Sequence, residues 1–161
     1  MLKALRPTVY AQLSPERLAV RDVHTGRAYA APPIGALLPG PMRRGLAVGQ
    51  EARTAIADRP LHIVNPFEHP RTLVADVVLG QQVLAGFIAK LYPMRLLRRR
   101  PVLVLHPRVE PAGGFTQVEI RALHALARGA GAWRAYVGQG RELLERELRA
   151  LQLGSGGKLL E

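Results

Sequence analysis

The sequence predicts an α/β domain. Three observations carry the prediction. Short alternating segments broken by turn residues fill the first part of the chain, a long apolar segment covers 72–91, and an unbroken apolar run at 101–105 is followed by a second helix-then-strand pattern. The chain has 161 residues. That length suits one domain, which buries about two thirds of its unfolded surface and needs no disulfide or metal staple.

The elements follow in order. Thr8–Leu13 reads as a strand, and Ser14-Pro15-Glu16 as a turn because proline presets the turn dihedral. Residues 17–22 alternate, with Leu18 and Val20 on one face. His24-Thr25-Gly26 turns again and 27–31 forms a third strand, which completes a three-stranded meander. Residues 32–45 read as loop, since Pro32, Pro33, Pro39 and Pro41 deny ladder donors. A short strand at 46–48 leads to a short helix at 50–57. The segment 72–91 carries Leu73, Val77, Leu84, Ile88 and Leu91 on a broad apolar face, as a buried helix does. Asp76, early in that helix, is placed to cap its N-terminal end. The strand 101–105 is apolar on both faces, the mark of a central position. Thr116 with Glu119 forms a capping box, and Gly129 and Gly131 stand as stops. A strand at 133–137 and a helix at 141–151 close the pattern. Strand, helix, strand, helix implies parallel pairing through right-handed crossovers. Residues 1–152 form the domain. The Gly-Ser-rich segment 153–161 is set aside as a flexible tail of the kind an expression vector leaves behind.

Composition excludes several functions. Cysteine is absent and the only serines are Ser14 and Ser155, so disulfides, thiolate metal sites and a serine triad are ruled out. No Walker sequence occurs. Gly138-Gln139-Gly140 between a strand and a helix hints at a phosphate loop, but a lone G-x-G reads as a tight turn. Among His24, His62, His69, His106 and His124, none has metal-ligand spacing. His106 ends the central strand and is read as a histidine bonded to backbone. Glu142, Glu145 and Glu147 read as a solvated helix face with Arg141, Arg146 and Arg149. No apolar run reaches the roughly 18 residues of a membrane span, and no signal peptide opens the chain, so the expected location is cytoplasmic.

The formal net charge is +11, carried by 20 arginines and three lysines. By segment it is +5 over 1–60, +4 over 61–110 and +2 over 111–161, so most of it is diffuse. What is focused is an acid-free window at 77–109, containing Pro93-Met94-Arg95-Leu96-Leu97-Arg98-Arg99-Arg100 between a buried helix and a buried strand. Aliphatic residues beside four arginines suit an anionic lipid surface, where each basic residue contributes about 1 kcal/mol. The bland alternative has Leu96 and Leu97 packed inward and the arginines solvated. Nucleic acid is the least favoured partner, because only 5% of residues are aromatic and no basic recognition helix appears.

Taken together, several stretches give the chain a family resemblance. These are Val48-Gly49 before a short helix, Leu73-Val74-Ala75-Asp76, Arg100-Pro101-Val102-Leu103-Val104-Leu105, Thr116-Gln117-Val118-Glu119 with Arg121-Ala122, and Gly129-Ala130-Gly131-Ala132. The chain resembles the first half-domain (subdomain IA) of MreB, the actin-like, rod-shape-determining family of bacteria, from about residue 8 to residue 151. The resemblance implies an RNase H-like, actin-like half-domain: a five-stranded mixed sheet with helices on both faces. It also carries departures. The family's first phosphate loop has the form D-L-G-T, and the matching residues here are Gln12-Leu13-Ser14-Pro15. A Glu-Glu-Pro segment that supports hydrolysis is matched by Val137-Gly138-Gln139-Gly140. In such proteins the loop before the central strand can insert hydrophobic residues into the membrane, and Met94, Leu96 and Leu97 fall there.

The reading is therefore a non-catalytic relative without cofactor, catalytic residues or metal. It acts as an interaction module at the cytoplasmic membrane surface, linked to cell shape or a filament system. Its surface is Met94, Arg95, Leu96, Leu97, Arg98, Arg99 and Arg100. Its partners are a protein or a second copy, including an actin-like filament protein, and an anionic membrane. Two alternatives stay open: a residual nucleotide-binding or ATPase fragment of an actin-like protein, and a basic nucleic-acid-binding protein.

Overall fold

The computed structural model describes residues 6–38, 45–55, 60–92, 99–152 and 154–161. The expected meander forms as three antiparallel strands: β1 (Thr8–Leu13), β2 (Leu18–Asp22) and β3 (Ala28–Ala31). Next come β4 (Gly35–Leu37), β5 (Gly45–Val48), α1 (Gln50–Ala55) and β6 (His62–Val64). The second half supplies α2 (Val77–Lys90), β7 (Val102–Pro107), α3 (Gln117–Gly129), β8 (Arg134–Gly140), α4 (Glu145–Ala150) and β9 (Gly157–Leu160). The main sheet runs β3-β2-β1-β7-β8-β9, with β7 parallel to both β1 and β8. A small antiparallel sheet, β5-β4-β6, is inserted between β3 and α2.

Side chains along β7 alternate between two cores. Leu103 and Leu105 join Val9, Ala11, Leu13, Ala135 and Val137 under α2 and α3. Val102 and Val104 join Tyr10, Tyr136 and Leu148 of α4 on the other face. Helices thus cover both faces, and the central strand is apolar throughout because neither face meets water. α2 and α3 cross closely at Gly80, where a Cβ would lie 2.8 Å from Leu126 Cδ1 and 3.2 Å from Phe67.

The caps behave as the residues require. The Asp76 carboxylate accepts the Leu79 N–H at 2.9 Å and starts α2. Thr116 Oγ1 accepts the Glu119 N–H at 3.2 Å, while Glu119 Oε2 accepts the Thr116 N–H at 2.7 Å.

Four expectations are corrected. The main sheet has six strands rather than five, because Gly157–Leu160, within the segment set aside as a tail, pairs antiparallel with β8. Residues 35–37 are a strand despite the flanking prolines, since those prolines stand outside the paired residues. α2 starts at Val77 and not at residue 72, because the Pro66 carbonyl takes the Ala75 and Asp76 N–H groups and holds the preceding turn open. α4 starts at Glu145 and not at residue 141. Glu147 accepts two hydrogen bonds from the Arg141 guanidinium, at 2.5 and 2.9 Å, and one from the Leu144 N–H at 2.8 Å, wrapping 141–144 around itself.

Leu105 is fully buried in the larger core. Leu105→Ala is expected to lower the unfolding free energy by about 3 kcal/mol, as read from denaturant melts.

Candidate functional site

Parallel β1, β7 and β8 give the sheet two distinct edges, one at their N-terminal ends and one at their C-terminal ends. The basic segment enters at the first. In an open α/β sheet a ligand is expected at the second.

At the C-terminal edge, the β1–β2 turn is closed on itself. The Ser14 N–H donates to the Arg17 carbonyl at 2.9 Å, and Ser14 Oγ accepts the Arg17 N–H at 3.1 Å. Pro15 has no N–H to offer a phosphate. His106, fully buried, sits beside this turn at the end of β7. Its Nδ1 lies 2.7 Å from the Tyr10 hydroxyl and its Nε2 lies 3.2 Å from the Gly140 carbonyl. The Tyr10 oxygen accepts the Leu143 N–H at 3.3 Å, so its own proton points to Nδ1. Nε2 therefore carries the imidazole proton and donates it to Gly140. Burial, and then the charge of Arg108, pulls the His106 pKa down to about 4. The imidazole is a neutral bridge between three strands. The backbone bond expected for it is present, and the Tyr10 bond was not foreseen. A histidine at a strand end gave no signal for a tyrosine 96 positions earlier in the chain.

These residues do not fit a magnesium nucleotide. The turn 12–15 offers no carboxylate. Among the described residues, no three histidine or acidic side chains converge as a metal site would need. Gly140 has φ +84°, and a Cβ there would lie 2.7 Å from the Gly156 carbonyl. The Gly-Gln-Gly stretch is thus occupied by antiparallel pairing with β9, which follows α4 in the chain.

The N-terminal edge is different. Of the predicted surface, Met94, Arg95, Leu96, Leu97 and Arg98 lie outside the described residues, while Arg99 and Arg100 are exposed at the start of β7. Both ends of the segment are anchored. Before it, the Tyr92 hydroxyl donates to Asp22 Oδ2 at 2.7 Å, and Arg27 reaches the Leu91 carbonyl at 3.4 Å. Burial would raise the Asp22 carboxyl, but Tyr92 and the Thr25 and His24 N–H groups outweigh it and hold the carboxyl below its ordinary range. After it, the Arg100 guanidinium donates to the Gly131 and Ala132 carbonyls, both at 3.0 Å. Arg100 therefore fastens the segment to the start of β8 as well as adding charge.

Beside it stand residues that sequence reasoning missed. Trp133 is 45% exposed, the Arg6 guanidinium stacks 4.0 Å from its ring centre, and Arg134 lies 5.4 Å away. His124, Arg128, Trp133, Arg134 and Glu161 line a depression of about 490 Å³. These residues are scattered along the sequence, and only the parallel strand ends gather them. No helix among the described residues is long and apolar enough to cross a membrane.

No family model matches the chain. Over 99 residues it is 33% identical to the cell shape-determining protein MreB of Haemophilus influenzae, covering 61% of this chain and 27% of that protein. Two crystal structures of MreB5 of Spiroplasma citri, bound to AMPPNP and to ADP, match with TM-scores of 0.60 and 0.59 at 20% identity. They cover 82% of this chain and 38% and 37% of theirs, and at that identity they show the fold. The chain thus spans between a quarter and two fifths of the relatives it matches.

The imidazole yields a pH prediction. As pH falls below about 6.5, the unfolded chain takes up a proton that the buried ring resists until about pH 4. Stability falls through that window and levels off below it. In His106→Gln this part of the fall is absent, so unfolding free energy plotted against pH is flatter than in the wild type between those values.

Proposed function

We propose that this MreB-like, actin-like partial domain is a non-catalytic interaction module that docks on the anionic surface of the cytoplasmic membrane through the N-terminal edge of its main sheet. One observation carries the reading. Arg6, Arg99, Arg100, Arg128 and Arg134 gather with an exposed tryptophan where the segment 93–98 leaves and re-enters the fold. Each basic residue near an anionic membrane contributes about 1 kcal/mol, and Met94, Leu96 and Leu97 add apolar area for the interface. An indole with one polar edge suits the same boundary.

The C-terminal edge supports the non-catalytic half of the reading. A self-closed turn, a neutral histidine bridge and the β8–β9 pairing stand where an actin-like nucleotide site would need phosphate donors and a magnesium ligand. The link to cell shape comes from the curated relative, and a filament-forming protein or a second copy is the expected protein partner. Exposed Val78, Val109 and Val118 offer apolar contact area for one.

The chain is expected to co-sediment with vesicles containing phosphatidylglycerol, and a Leu96→Asp, Leu97→Asp double variant is expected to stay in the supernatant. Equal binding by the variant would remove the membrane reading. ATP with magnesium is expected to leave the Tm unchanged, and a clear rise would restore a nucleotide-binding function.

A further inference from the structure

We propose that the depression lined by His124, Arg128, Trp133 and Arg134 is a binding site for the phosphate headgroup of a single anionic phospholipid. The proposal rests on the membrane reading above and names the ligand of the same edge.

The chemistry of the lining selects an oxyanion. Arg128 and Arg134 bring two guanidinium groups to one concavity of about 490 Å³, which accommodates one headgroup. One of the Arg128 donors is held by the Trp133 carbonyl at 3.3 Å, which fixes the guanidinium at the rim. A guanidinium has five N–H donors, so the others are free in number to meet phosphate oxygens. Arg134 already holds an oxyanion, the Glu161 carboxylate, with Nε 3.3 Å from Oε1. Both partners of that pair are more than half exposed, so it contributes little and a phosphate displaces it readily. His124 is neutral at pH 7, held below its ordinary pKa by burial and then by Arg128. It adds a hydrogen-bonding ring beside the cations.

The surroundings select a lipid. The single tryptophan of the chain forms the wall of the site, half exposed, with Arg6 stacked on it. Arg100 ties this wall to the segment that carries Met94, Leu96 and Leu97, through Gly131 and Ala132. An indole with one polar edge beside cations suits the boundary between headgroups and acyl chains. A polynucleotide would need an extended track of stacking rings, and the site offers one.

Because Trp133 is the only tryptophan, its emission reads the site directly. Dihexanoyl phosphatidylglycerol, kept below its micelle-forming concentration, is titrated against dihexanoyl phosphatidylcholine, inorganic phosphate and a single-stranded oligonucleotide. The expected result is a saturable change in Trp133 emission with phosphatidylglycerol alone. Affinity falls roughly fivefold in Arg134→Gln and about twentyfold in Arg128→Gln/Arg134→Gln. The Arg134 side chain is more than half exposed, so its single variant keeps the test valid should the double variant unfold. An equal response to inorganic phosphate, a tighter response to the oligonucleotide, or undiminished binding by Arg134→Gln overturns the headgroup site. Vesicle binding that is lost with Leu96→Asp/Leu97→Asp but untouched by the arginine variants overturns the site and leaves the membrane reading standing. A Trp133 response to phosphatidylglycerol in a chain that binds no vesicle supports the site and overturns the membrane reading.

Discussion

The structure depends on one constraint, the burial of β7 on both faces between two parallel neighbours. A parallel neighbour cannot be reached by a tight hairpin, so the chain must cross over a face and return. α2 and α3 are those crossovers, and each delivers the chain to the same edge before the next strand begins. Residues 99–101 and 130–133 therefore meet, although about 30 positions separate them. Nothing local draws Arg100 and Pro101 to the residues before β8. The sheet direction does.

The same constraint separates the two edges chemically. At the C-terminal edge, β1, β7 and β8 are tied by Tyr10, His106 and Gly140, with Arg108 Nη1 3.3 Å from His106 Nε2 and 3.5 Å from the Gly140 carbonyl. At the N-terminal edge, cations meet one another with few acids between them. Asp22, which holds Tyr92, is committed to anchoring and sits buried. Relatives of this fold are known with a nucleotide bound, and in this chain Arg6, Arg100, Arg128 and Arg134 stand together around Trp133 at the N-terminal edge. That placement is the physical basis of the membrane proposal.

Much of the fold was legible in the sequence. The meander showed as period-two alternation between turn residues, and β7 as an unbroken apolar run. The Asp76 and Thr116 caps could be read because capping is local chemistry. The failures were non-local. Residues 35–37 and 62–64 are short strands whose pairing depends on each other, and three residues carry no periodicity. The glycine-rich approach to β9 looked like a linker, yet glycine is what allows 140 and 156 to meet closely. Of the site, the arginine segment was legible from its charge. Arg6, His124, Arg128, Trp133 and Arg134 were not, because each looks ordinary alone and only the strand ends assemble them.

The central claim is that the working surface is the N-terminal edge of the sheet. Chemical-shift mapping of the backbone amides against nanodiscs containing phosphatidylglycerol tests it most directly. Perturbations are expected to cluster at 99–101 and 128–134, with 12–17 and 138–140 unchanged. Perturbations clustered instead around Ser14, His106 and Gly140 would contradict it.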